Sequence, residues 1–284
     1  TATTNGSDSG VVGGTVNVGV NPDGSFKGRI DFPGRSGTGF LTINGNPYTV
    51  INGLGAAGST TGTDLQGTNG LLSGYYALGS NINASATSGW NSGAGFLPVG
   101  NEVTNFTGVF DGLGHTVSGL YINRPTTDYV ALFGYTGGSA AIRNVGLVSG
   151  NINGDGFVGG LVGYNTGSIS NSYNTGTVSG SYLYAGGYVG GLVGRNYGSI
   201  SNSYNTGTVS SYHDVGGLVG YNEGHGYISN SYNTGTVSGY SQVGGLMGWN
   251  YGGITNSHYD IDNVTINGAH YLTEGGLYAS QYAA

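Results

Sequence analysis

The same eleven residues return three times. SNSYNTGTVSG occupies Ser170–Gly180 and Ser229–Gly239, and SNSYNTGTVSS occupies Ser201–Ser211. Self-similarity at this period means one supersecondary unit stacked on copies of itself, because a single unit cannot bury its apolar face alone. A second marker sets the phase. GGLVG stands at Gly159–Gly163, Gly190–Gly194 and Gly216–Gly220, with GGLMG at Gly244–Gly248. Its leucine, Leu161, Leu192, Leu218 and Leu246, advances by 31, 26 and 28 residues. Within one unit the anchors Leu192, Ile200, Val209 and Leu218 lie 8, 9 and 9 residues apart, so the basic unit is 26 residues. The additional residues fall between anchors, in SYLYAGGY and in GHGY near His225, as loop insertions on a rigid scaffold do.

The runs between the Gly and Asn punctuation are too short for helices, and Gly, Thr, Ser, Asn and Tyr are weak helix formers. Bounded by turn residues and rich in β-branched and aromatic types, they read as strands. The expected fold is all-β: a β-solenoid, or parallel β-helix, with three short strands per coil of about 26 residues and coils about 4.8 Å apart. Leu161, Leu192, Leu218 and Leu246 then stack inside, as do Ile169, Ile200, Ile228 and Ile254, with Val178, Val209 and Val237 on a third wall. Asn165, Asn196, Asn222 and Asn250 form a corner row able to bond to their own backbone and to their stacked copies.

Upstream, ALFGYTGGSAAIRNVGLVSG carries Leu132, Ile142 and Asn144 near the expected offsets, and FTGVFDGLGHTVSGLYIN and YYALGSNINA read as degenerate coils. The solenoid is therefore expected over 72–259, clearest over 157–259. Residues 1–71, with GTVNVGV and FLTINGNPYTVI, form a β-rich capping segment, and 260–284 a C-terminal cap over an edge that would otherwise polymerise.

Composition narrows the function. Of 284 residues, 62 are glycine, 5 are proline and none is cysteine, which excludes collagen and fits a secreted bacterial surface protein. Charged residues make up 7% of the chain, and its net charge is −7. Six Lys and Arg build neither a phosphate-tracking stripe nor a basic membrane patch, so nucleic acid and membrane insertion are not expected. No apolar run reaches a spanning length, and TATTNGSDSG has no signal-peptide character, as in a mature or excised segment.

YVGGLVGRNYGSISNSYNTGTVSG resembles the GLUG repeat of large bacterial surface proteins. FTGVFDGLGHTVSGLYINRPTTDYVALFGY is similar to the segment that often precedes such repeats. With LTINGNPYTVI and GTDLQGTNG, the chain resembles the repeat region of filamentous-haemagglutinin-like exoproteins. That resemblance implies a right-handed parallel β-helix and two-partner secretion. The secretion domain typical of such exoproteins is not evident, which assigns export to a longer precursor.

Catalysis finds little support. Glycosidase or lyase chemistry on a β-helix needs paired carboxylates or a calcium-binding cluster, whereas Asp111, Asp155, Asp214 and Glu223 stand singly. The close pair Asp260 and Asp262 reads as a capped turn. No His-Glu-x-x-His occurs, and His115, His213, His225, His258 and His270 lack ligand spacing, so no metal or cofactor is expected. Two aromatic rows are candidate ligand-binding residues: Tyr173, Tyr204 and Tyr232, and the row Tyr164, Arg195, Tyr221 and Trp249. They read either as ladders that stabilise the coil or as a glycan-binding strip. Thr175 and Thr177, Thr206 and Thr208, Thr234 and Thr236 face outward with period two, and such ranks also suit ice binding. Sequons at Asn5, Asn83, Asn105 and Asn263 permit glycosylation.

The function expected is a secreted or surface-displayed bacterial adhesin or structural module, not an enzyme, with glycans or surface receptors as partners. Three alternatives stay open at this point: a subunit stacking end to end into an extracellular fibre, a polysaccharide-binding or -cleaving β-helix, and an ice binder. The fold expectation has a direct test. Far-UV circular dichroism should show a β-dominated spectrum; a mainly helical or disordered one overturns it.

Overall fold

The computed structural model describes the backbone of residues 10–12 and all of 28–181 and 186–278. The run GTVNVGV and residues 182–185 of the SYLYAGGY insertion lie outside the described residues. The chain winds into a β-solenoid of about seven turns with mostly parallel strands. Each clear coil resolves the three expected apolar runs into five short strands on four walls. In one coil, Val158–Gly159 forms wall 1 and Val162–Asn165 wall 2. Ser168–Ser170 and Tyr173–Asn174 share wall 3, and Thr177–Gly180 forms wall 4.

Register is residue on like residue. Val158 pairs with Val189 and then Val215 and Val243. Ile142, Ile169, Ile200, Ile228 and Ile254 align on wall 3, and Ile122, Ile152, Val178, Val209 and Val237 on wall 4. Leu161, Leu192, Leu218 and Leu246 are fully buried, and the amides of the first three each donate to the leucine carbonyl of the next coil. In the N-terminal coils phenylalanines fill the interior, with Phe133 4.9 Å from Phe106 and 5.2 Å from Phe110.

The repeated stretch is explained position by position. Asn171, Asn202 and Asn230 turn the corner of wall 3 at φ 47–48°, a left-handed conformation that asparagine tolerates. Ser172, Ser203 and Ser231 face inward, and each hydroxyl oxygen beyond the first accepts the serine amide of the preceding coil. Asn174, Asn205 and Asn233 form a buried amide ladder: Asn174 Nδ2 donates to Asn205 Oδ1 and Asn205 Nδ2 to Asn233 Oδ1, both at 3.0 Å. Each Oδ1 also accepts the amide of the glycine two residues on. The corner row expected from the sequence runs in parallel, from Asn165 through Asn196 and Asn222 to Asn250 at 2.8–2.9 Å.

The GGLVG glycines are required by close approach. A Cβ on Gly159 would lie 2.2 Å from Val162 O, and one on Gly163 would lie 2.6 Å from Gly134 O and 2.9 Å from Phe157 O. The corner folds wall 2 back against wall 1 with no room for a side chain.

Both ends of the stack are partly covered. Near the first coil, Gln66 Nε2 donates to Leu97 O while Gln66 Oε1 accepts Leu97 N, both at 3.0 Å. Asn69 Oδ1 accepts Gly100 N. These amides pair with the edge as a neighbouring strand would. At the other end the inward position after Asn233 is taken by Tyr259, which with Ile261, Val264 and Ile266 is buried. Glu274 Oε1 accepts Asn250 Nδ2 and ends the asparagine row. A hairpin of Gly37–Ile43 and Asn46–Ile51 extends the largest sheet and packs a second small core with Phe32, Ala77 and Leu113. Beside it Asp111, fully buried, accepts Arg143 Nε at 2.6 Å and Asn144 Nδ2 at 2.8 Å, and Arg143 also donates to Tyr48 Oη.

Asn205→Ala removes the middle rung of a buried ladder and leaves one Asn174 Nδ2 proton and Gly207 N unmatched, at a cost of about 2–4 kcal/mol. Thr206→Ala, on an exposed neighbour, should stay within about 0.5 kcal/mol. Urea midpoints of the two variants check the contrast.

Candidate functional site

Wall 2 points one side chain per coil outward between the glycine and the ladder asparagine. In register these are Tyr135, Tyr164, Arg195, Tyr221 and Trp249. Wall 1 contributes a second row from the residue before its inward valine: Tyr129, Phe157 and Tyr188, and further along Asp214. The tight GGLVG corner sets the two rows side by side. Tyr135 lies 5.5 Å from Tyr129 and 4.7 Å from Tyr164, and Tyr188 lies 4.7 Å from Tyr221. Phe157 bridges the rows, stacked 4.8 Å from Tyr129 and 6.3 Å from Tyr164. The strip runs on to Tyr251, 6.1 Å from Tyr221, and Trp249, 5.9 Å from Tyr251. These rings are partly exposed, rising to 37% for Trp249 and 65% for Tyr251.

Arg195 takes the place of a ring at the centre of the strip. Its guanidinium carbon sits 4.9 Å from the Tyr164 ring centre, 5.6 Å from those of Phe157 and Tyr221, and 5.8 Å from that of Tyr188. Such stacking attracts a cation to the ring quadrupole. Glu223 Oε1 accepts both Arg195 Nε and the Tyr164 hydroxyl, each at 2.8 Å. Burial, and then the hydrogen bond to Glu223, push the Tyr164 hydroxyl well above the usual tyrosine range. The phenol therefore stays protonated and a donor across the physiological range.

The other residues singled out from the sequence fall elsewhere. Tyr173, Tyr204 and Tyr232 form a stack on wall 3 with centres 4.9 Å apart and planes within 8°. Tyr173 is 8% exposed and Tyr204 4%; the faces of Tyr204 lie against its two neighbours, and His258 follows Tyr232 at 6.1 Å. Thr177, Thr208 and Thr236 stand exposed on wall 4, with Thr236 Oγ1 donating to Thr208 Oγ1 at 3.2 Å. Thr206 and Thr234 are exposed as well, while Thr175 is half-buried and accepts Ser149 N. Asp260 closes a local turn by accepting Asp262 N and Asn263 Nδ2. Among the described residues no group of three His, Asp or Glu side chains could hold a metal ion.

Tyr129, Tyr135, Phe157 and Tyr188 were not singled out from the sequence, and Glu223 stood there only as an isolated acid. The signal was present as an aromatic residue immediately before Val in YVAL, FVGG and YVGG. Only the corner geometry makes those positions neighbours of the wall 2 row.

The family model described as "The GLUG motif" matches residues 158–179, 185–210 and 211–238. These coils are a GLUG-repeat region. The aromatic strip follows the GLUG corner and continues upstream of it to Tyr129. Halomucin of Haloquadratum walsbyi is 35% identical over 143 residues, 46% of this chain and 2% of halomucin. A "Putative Gly-rich membrane protein" of Evansella cellulosilytica is 40% identical over 82 residues, 28% of this chain and 10% of that protein. The chain thus spans a small part of the length of either relative. Among solved structures, a putative immunoglobulin A1 protease from Bacteroides ovatus superposes with a TM-score of 0.55 at 19% identity, covering 84% of this chain and 85% of that one. At that identity the likeness is one of fold.

Asp214 provides a pH test of the wall 1 row. It is 3% exposed at φ 50°, and burial raises its carboxyl above the ordinary value of 3.8, opposed by a hydrogen bond from Gly186 N. An acid raised in the fold stabilises it when protonated; that contribution is full below the unfolded value and is lost as pH rises through the folded one. Asp214→Asn keeps an acceptor and suits the left-handed backbone. It should melt higher than the parent at pH 7, with the difference vanishing as pH falls below about 4. Calorimetric melts across that range check it.

Proposed function

We propose that the chain is a non-catalytic binding module displayed outside a bacterial cell, adhering to glycans or surface receptors through its outer aromatic strip. The observation that carries this reading is the strip itself: partly exposed rings, locked by Arg195 and Glu223, on a rod whose backbone is rigidly paired. Rigid aromatics present contact area at little entropic cost, the property of adhesive surfaces. Three acids support the non-catalytic part of the reading, because they are engaged in structure. Asp64 accepts Gly67 N in the cap, Asp111 pairs with Arg143, and Glu274 ends the asparagine row.

Placement outside the cell is supported by the likeness to halomucin and to a Gly-rich membrane protein. No helix among the described residues is long and apolar enough to cross a membrane. The resemblance to filamentous-haemagglutinin-like exoproteins supports two-partner export as part of a longer chain. The side-chain bonds that cap part of each end, at Gln66 and Asn69 and at Glu274, support a discrete rod over a fibre that grows end to end.

Beads coated with the chain should adhere to bacterial or epithelial cells. The double variant Tyr221→Ser, Trp249→Ser should reduce adhesion at least about fivefold with an unchanged melting temperature. Adhesion that is absent, or unaffected by the double variant, overturns the reading.

A further inference from the structure

We propose that the strip holds an extended neutral glycan and that Arg195 and Glu223 read a pair of adjacent hydroxyls on one of its sugars. This rests on the strip being the binding surface and adds the chemical class of the ligand.

The ion pair is incompletely used by the protein. Arg195 donates through Nε alone, and among the described residues its two terminal nitrogens meet no acceptor. Glu223 accepts twice at Oε1, and among the described residues its Oε2 meets no donor. Their side chains are 29% and 16% exposed, so the unused atoms can be reached from solvent while the pair is held by the rings around it. A fixed donor fork beside a fixed acceptor oxygen suits a vicinal diol. One hydroxyl donates to the carboxylate and the other accepts from the guanidinium. Neighbouring aromatic rings suit the C–H face of the same sugar.

Charge decides the class. The Arg195 and Glu223 charges cancel within the pair, and the other ionised groups acting on the strip are acids. Glu102 and Asp128 act on Tyr129, and Asp214 acts on Tyr188. A uronate, sulfate or phosphate would meet one cation already neutralised and several acids beyond it. A basic peptide would find Glu223 paired and Asp214 buried, with Glu102 and Asp128 to attract it only at the Tyr129 end of the strip. A neutral polyhydroxyl chain meets neither obstacle. Geometry sets the direction. Neighbouring rings within a row recur at 4.7 Å from Tyr135 to Tyr164 and at 4.8 Å from Tyr129 to Phe157, the inter-strand spacing of a sheet. That repeat is close to the advance of one pyranose in an extended glycan, so a chain lying along the solenoid axis meets a ring or the ion pair at each sugar.

The test is affinity electrophoresis of the full chain in gels containing hydroxyethylcellulose, galactomannan or dextran, with alginate and polylysine as charged probes. Retardation by at least one neutral polymer, insensitive to salt, is expected. Glu223→Gln, Arg195→Lys and Trp249→Ala should each weaken it about tenfold, and Ser199→Ala on wall 3 should leave it unchanged, with all four variants melting near the parent. Arg195→Lys keeps the charge and loses the fork, so undiminished binding by this variant overturns the proposal. Retardation by alginate or polylysine alone overturns it as well, as does no retardation by any neutral polymer. If neutral polymers fail while the Tyr221, Trp249 double variant still loses cell adhesion, the glycan assignment falls and the binding-module reading stands. If both assays fail, both fall.

Discussion

Register between coils is the constraint on which the rest of this structure depends. Each short strand finds its hydrogen-bond partners in the coils above and below, so a coil is satisfied only when its neighbours present the same residue types at the same heights. Stacking like on like makes a column of every position. Leucine, isoleucine and valine columns exclude water from the interior, and asparagine and serine columns satisfy their own polar atoms inside it. The near-identity of the repeats follows from this requirement before any selection for a ligand.

Columns must also end. A buried asparagine row left open would expose an amide at each terminus, and an unpaired strand edge would recruit another chain. Several columns end on a specific chemical partner. Thr136 donates to Asn165 at one end of its row, and Glu274 accepts from Asn250 at the other. Tyr259 occupies the inward position after Asn233, whose Nδ2 turns to Gly245 O. The side-chain amides of Gln66 and Asn69 replace a missing coil at the first edge.

In a chain with so few charges, the outer surface takes its character from rings. The corner that excludes every side chain from Gly159 and Gly163 also brings two outward rows within contact distance. The candidate site is thus a by-product of packing the backbone tightly. One arginine substituted into the ring column then locks the strip through Glu223, a residue beside the GHGY insertion two positions after Tyr221.

The repeat alone determined the solenoid and its interior columns. Period and side-chain alternation leave one way to bury Leu192, Ile200 and Val209 together. The sequence also marked Asn165, Asn196, Asn222 and Asn250 as a row. It did not mark Asn174, Asn205 and Asn233, because between Tyr and Thr nothing in the pattern says which side faces inward until the turn at Asn171 is known. Nor did it divide each coil into five strands, since the breaks fall at corners whose angles are set by contacts with the next coil. Tertiary structure alone decided that Phe157 and Tyr188 join Tyr164, Arg195 and Tyr221, while Tyr204 is closed off between its neighbours. Sequence spacing fixes height along the axis; which walls meet at a corner depends on how closely glycine lets two backbones approach.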